Sequence, residues 1–150
     1  MHSDSDLDGE SAWRDFGGKT LEEAHSFFAE VPESYQEAFM WMEAPAFVFY
    51  FPVLDEYLRG INATRKYDFN SAWILAKDIE MHFDCGHELA DIPVRVIALC
   101  DFVCRHIDWY VCPEDPDADQ EKEKILEAYT ELRAKAVAHR NGVRPGFVPP

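Results

Sequence analysis

The spacing of apolar residues along these 150 positions predicts an all-α fold, an irregular bundle of about six helices in a single domain. Three observations carry that expectation. Large apolar residues recur at intervals of three and four, which places them on one face of a helix. Two Ser/Thr-x-x-Glu capping boxes mark helix starts. Glycine and proline fall where the stripes end. A chain of this length can bury a core without disulfides. With 47% hydrophobic residues, including 11 Phe, 6 Tyr and 4 Trp, that core is expected to be aromatic-rich rather than disordered.

The elements follow in order. Residues 1–19 read as a flexible acidic arm, 20–142 as the helical domain, and 143–150 as an extended Pro- and Gly-containing tail. Thr20-Leu21-Glu22-Glu23 is the first capping box, followed by the stripe Leu21, Ala24, Phe27, Phe28 and Val31 up to Pro32. Ser34-Tyr35-Gln36-Glu37 is the second, opening a short helix striped by Tyr35, Ala38, Phe39 and Met42. The run 46–51 is rich in Phe, Val and Tyr, so a buried strand stays open there. Helical spacing of Phe47, Tyr50, Phe51, Leu54, Tyr57 and Leu58 favours a central helix, kinked or restarted at Pro52 and stopped at Gly60. A polar connector over 61–68 leads to a fourth helix from Asn70 to about Phe83, with Gly86 as its stop. Asp91 and Pro93 open a fifth, whose apolar face from Val96 to Val111 is wide enough to make it the most buried element. After an acidic loop, a last helix striped by Ile125, Tyr129, Leu132 and Ala136 runs to about Asn141, ahead of Gly142.

Charge narrows the function classes. Against 29 acids stand 14 Lys and Arg, a formal net charge of -15. Such a surface repels phosphate backbones and anionic lipid, so neither nucleic acid nor membrane is an expected partner. It favours basic proteins, cations or plain solubility. The first ten residues hold four acids and no Lys or Arg, unlike a secretory leader, and the longest apolar run, 44–54, is too short to span a bilayer. A cytoplasmic location with reduced cysteines is therefore expected. Oligomeric state is left open.

Candidate chemistry centres on the Cys and His residues. His82-x-x-Cys85-x-His87 closes the fourth helix, and Cys100 and Cys104 lie one turn apart on the fifth. Zinc takes Cys and His in tetrahedral sets, so His82, Cys85, His87, Cys100 and Cys104 form the alternative reading, a zinc-binding helical protein or enzyme. No Cys-x-x-Cys pair supports it, and cysteines inside an apolar stripe behave first as small hydrophobes. Glu22-x-x-His25 is one half of a di-iron pattern whose second half is absent. Cys85 has flanking histidines, but a helix C-terminus disfavours a thiolate. Phosphate-binding glycine loops and Gly-x-Ser-x-Gly are missing. The expectation is therefore no catalytic set and no resident cofactor. Asp101 and Arg105 read as an i, i+4 ion pair.

The remaining signal is a potential docking surface. Asp115, Asp117, Asp119 and Glu121 crowd the start of the last helix, with Glu114 and Glu123 on either side. A strip of this kind suits a basic protein partner, anchored by exposed aromatics for which Trp41, Trp109 and Tyr110 are the candidates.

The segments 16–24 (Phe-Gly-Gly-Lys-Thr-Leu-Glu-Glu-Ala), 35–42 (Tyr-Gln-Glu-Ala-Phe-Met-Trp-Met) and 46–52 (Ala-Phe-Val-Phe-Tyr-Phe-Pro) resemble small bacterial all-helical proteins of uncharacterised function. Some of these are similar to immunity proteins that neutralise polymorphic toxins. The resemblance covers residues 16–60 and rests on packing residues, so it implies a fold and an interaction role but transfers no site residue. It agrees in sign with the charge, because an inhibitor of a basic toxin gains association rate from an acidic face.

Overall fold

The computed structural model describes residues 19–30, 32, 38–64 and 67–142, with the backbone alone for 62–64. The acidic arm before residue 19, the second capping box and the tail 143–150 lie outside the described residues. Those described form six α-helices and a 3-10 turn, with no strand among them: α1 Leu21–Glu30, α2 Ala38–Trp41, α3 Ala44–Thr64, α4 Phe69–Asp84, α5 Ile92–Arg105, the turn Ile107–Trp109, and α6 Ala118–Arg140. The all-α bundle is therefore what the chain forms, around one continuous core.

Local chemistry explains the helix starts. The Thr20 amide donates to Glu23 Oε1 at 3.0 Å and the Glu23 amide returns to Thr20 Oγ1 at 3.1 Å, a closed capping box. Those bonds from Thr20 hold the Glu23 carboxyl below its ordinary range. Asp68 caps α4 by accepting from the Ser71 amide at 3.2 Å. Asp91 precedes α5 without a side-chain cap bond, and Pro93 sits in the first turn where its missing amide costs nothing. Gly86 and Gly142 take the positive φ that follows a helix end.

The ambiguous run 46–51 is helical, and all six residues of its predicted stripe are buried. Pro52 sits inside α3 without ending it. Gly60 does not stop the helix either. Beyond it Ile61 returns to the core at 1% exposure, and burying that side chain outweighs the modest cost of one helical glycine. Nor is α5 the most buried element. It ends at Arg105, short of Val111, and six of its 14 residues are buried against eight of α4's 16. The reason is position: α4 meets α2, α3 and α6, whereas the outer side of α5 stays open at Val94.

The layering places α6 along both α5 and α4, α1 on α3, and α3 against α5. Buried tyrosine hydroxyls pin the layers together. Tyr129 of α6 donates to the Ala72 carbonyl of α4 at 2.6 Å. Tyr110 donates to the Leu58 carbonyl of α3 at 2.8 Å. Each satisfies a polar group that the aromatic core would otherwise leave orphaned. No helix among the described residues is long and apolar enough to cross a membrane.

Candidate functional site: the acidic outer face of the last helix

Helix α6 turns Ile125, Ala128, Tyr129, Leu132 and Ala136 inward. The 3.6-residue period then forces Asp119, Glu123, Glu127 and Glu131 into one row on the opposite side, each one turn from the next. This row shares an open, shallow strip of the helix surface with Lys122, Leu126, Thr130 and Ala134. Leu126 is 40% exposed at its middle.

Three cations of α6 bond to neighbouring elements. Lys122 reaches Asp108 of the 3-10 turn at 2.8 Å. Arg133 Nε donates to Asp101 of α5 at 2.8 Å. Lys135 binds Asp84 of α4 at 2.7 Å and Glu80 at 3.5 Å. Three positive side chains thus stitch α6 to its neighbours, while Lys122 also borders the row and Lys124 is exposed on the helix between Glu123 and Glu127. The predicted Asp101–Arg105 pair is replaced by Asp101–Arg133, a cross-helix bond where an intrahelical one was expected.

At the N-terminal end of the row, Asp115 Oδ1 accepts from the Asp117 amide at 2.8 Å, folding the acidic loop back on itself. Glu121 lies close enough to feel this turn. Partial burial, and then the charges of Asp115 and Asp117, push its carboxyl above the ordinary value. Of the four acids singled out in the sequence, Asp119 belongs to the outer row, whereas Asp115 and Asp117 stay in the preceding loop and Glu121, one turn before buried Ile125, lies toward the inner side of the helix. Glu127 and Glu131, which sequence reasoning missed, continue that row. Their signal was the repeat of four from Asp119 through Glu131.

The aromatic anchors fare differently. Tyr110 is fully buried, because its hydroxyl is committed to the Leu58 carbonyl, and it is no surface anchor. Trp109 is half-buried, stacked on His106 at 4.0 Å and edge-on to Phe102 at 5.5 Å. Trp41 is 40% exposed but belongs to α2, which packs on α4 rather than along the acidic row. The apolar component of the α6 surface is Leu126 instead.

The zinc reading is not gathered by the fold. Among the described residues no group of three or more His, Cys, Asp or Glu side chains is arranged to hold a metal ion. Within the set, His82 spends both ring nitrogens inside the protein. Its Nε2 donates to the Phe39 carbonyl at 2.7 Å, and its Nδ1 lies 3.0 Å from His87 Nδ1. Cys85 is exposed with its thiol toward Met81 Sδ at 3.8 Å. Cys100 faces the core, where burial, followed by the neighbouring Cys104 and Asp101, pushes its thiol up to about 12. Cys104 is raised for the same first reason. Neither helix-five cysteine offers a thiolate near neutral pH, and the five residues split between separate packing roles.

A cleft lies between α1 and α3, lined by Glu22, His25, Pro52 and Glu56 among others. His25 Nδ1 is itself buried and stands 3.5 Å from Glu56 Oε2, while the His25 ring is partly and the Glu56 side chain largely exposed. This is the single Glu-x-x-His turn of the sequence, and it sits at the surface of the bundle rather than facing inward. No protein-family model, curated protein or solved structure matches the chain, so the geometry of these surfaces carries the functional argument.

Proposed function

We propose that this chain is a non-enzymatic interaction protein whose acidic α6 face receives a basic protein partner, in the manner of an immunity protein meeting a basic toxin. The observation that carries the reading is the exposed row Asp119, Glu123, Glu127 and Glu131, whose acids outnumber the neighbouring Lys122 and Lys124. Like charges one turn apart on a helix destabilise it by a few tenths of a kcal/mol per pair. A face that costs stability in this way is economical when a partner of opposite charge neutralises it. The exposed helix face supplies length, Leu126 supplies an apolar contact, and the net charge of -15 steers a basic molecule toward the surface from a distance.

The experiment is co-expression with the product of the adjacent gene, comparing wild type with the triple substitution E123K/E127K/E131K. The reading expects a complex with wild type and none with the triple variant, while both show the same helical circular dichroism. Equal co-purification of the two forms removes the α6 face from the account.

A further inference from the structure

We propose that the cleft between α1 and α3 is a subsite for one alkylguanidinium group, the chemistry of an arginine side chain, with Glu22 and Glu56 as its charged walls. The cleft follows from how the two helices lie. Tyr50 Oη donates to the Lys19 carbonyl at 3.0 Å, His25 meets Glu56, and the Phe28 and Tyr57 rings touch edge-on at 5.1 Å. Later residues of the first segment meet later residues of the second, so α1 and α3 run side by side in the same direction. Between the first of these contacts and the second, α3 presents Pro52, whose ring reaches only a short way out from the helix. On the facing helix Leu21 is left 37% exposed. A gap of about 290 Å³ remains, lined by Leu21, Glu22, His25, Pro52, Val53 and Glu56.

The walls sort the ligands by chemistry. Leu21, Pro52 and Val53 are apolar and suit a short aliphatic stem. Glu22 and Glu56 carry charge that no lysine or arginine among the described residues answers. Lys19, the cation nearest Glu22 in the chain, has its Nζ over the Phe27 ring at 4.7 Å. Arg59, the next cation along α3, is bonded to Asp55 at 3.0 Å. His25 adds an independent sign of a missing partner. Its Nδ1 is buried and makes no hydrogen bond among the described residues, with Glu56 Oε2 at 3.5 Å. A buried ring nitrogen in that condition costs stability until a polar group reaches it.

Anions are repelled by two carboxylates. A bare metal ion needs its ligands gathered around one point, and among the described residues these three side chains are not so arranged. Guanidinium fits both facts. Its charge is spread over a plane, and its five N–H donors point outward in a fixed fork that serves acceptors set apart from one another. An ammonium is a compact charge with three donors and serves such a set less well. Size narrows the choice again, because sites for cofactors and drug-sized molecules begin near ~300 Å³ and run several-fold larger. The cleft therefore holds one side chain or its small-molecule equivalent. Helix α6 lends nothing to it, so this inference stands apart from the acidic row.

Proton–nitrogen correlation NMR of the full chain, titrated with butylguanidine at physiological salt, tests the subsite. Saturable shifts are expected at the amides of 21–25 and 53–56 and at the His25 ring, with a dissociation constant on the order of 1 mM for so small a ligand. Butylurea has the same shape without the charge and is expected to bind about tenfold more weakly. Glu22→Gln and Glu56→Gln are each expected to weaken butylguanidine by about fivefold, and the double variant to abolish saturation. Both side chains are exposed, so the variants should fold, and circular dichroism checks that they do. N-acetylarginine methylamide separates the sources. Binding as tight as butylguanidine marks an arginine carried by a protein, weaker binding marks a free guanidine, and either result supports the subsite. Butylurea or butylamine binding as well as butylguanidine overturns the inference, as does a double variant that binds like wild type. So does the absence of saturable shifts, or shifts no larger in the cleft than along Glu123, Glu127 and Glu131, where unspecific attraction to the chain's charge would show.

Discussion

Helices α4 and α6 lie side by side and use polar residues in opposite ways. Inside α4, Ser71, Asp78 and His82 are buried where mean hydropathy alone would place apolar side chains. Outside α6, four acids stand in a row facing water. The contrast separates two meanings of a polar residue. A buried one must be matched to a specific partner, as His82 is to a carbonyl and a second imidazole, and it fixes one arrangement of the helices. A surface row dominated by one sign keeps like charges one turn apart, which weakens the helix that bears it. The first kind is explained by folding, and the second asks for an explanation outside the molecule.

The largest effect belongs to the buried side. His82→Ala removes a stacked ring and its bond to the Phe39 carbonyl, so urea denaturation is expected to show a loss of about 3 kcal/mol. A loss under about 0.5 kcal/mol would place His82 among ordinary surface-like residues and erase the contrast with α6.

Acid probes the same residue without mutation. The folded imidazole sits at about 4, below the unfolded value near 6.5, so between those pH values the unfolded chain binds more protons. The stability due to neutral His82 is complete above pH 6.5 and lost as pH falls toward 4, a total of up to about 3 kcal/mol. Paired denaturation curves for wild type and His82→Gln isolate this component from the titrating carboxylates. Identical pH profiles would refute it.

The boundary between the two helices gives an intermediate value. Tyr129→Phe deletes the hydroxyl that α6 lends to the Ala72 carbonyl of α4 and is expected to cost about 1–2 kcal/mol by thermal or urea unfolding. On the outer side the sign reverses. Glu127→Lys removes like-charge contacts to Glu123 and Glu131 and creates attractive ones, so stability should rise by roughly 0.5 kcal/mol, more in low salt than in high. A loss of stability there would mean the row is structural.

Much of the fold was legible because helix punctuation and stripe agree at the same places. Thr20 with Glu23, the stripe from Phe47 to Leu58, and Ile125 through Ala136 each combine a start signal or period with burial. Gly60 shows where local punctuation misleads: a glycine reads as a stop, but the apolar stripe continues to Ile61 and the helix follows the stripe. A Cβ at Gly60 meets nothing within 4 Å, so Gly60→Ala should stabilise by about 0.5–1 kcal/mol, measurable as a raised Tm. The candidate surface was half legible. The acids from Asp115 to Glu121 are clustered in sequence, yet only Asp119 of them stands in the row, which Glu127 and Glu131 join through helical periodicity. Tyr110 was misread because an aromatic near a polar loop gives no hint of a carbonyl 52 positions away waiting for its hydroxyl.

The central claim is that the acidic row of α6 meets a basic protein. Its most direct test is the association rate between this chain and the co-expressed product of the adjacent gene, followed from low to high salt. The account predicts a rate that falls by about tenfold or more as screening increases, and that is already slow in low salt for E123K/E127K/E131K. An unchanged rate across that range, or no association at all, would contradict it.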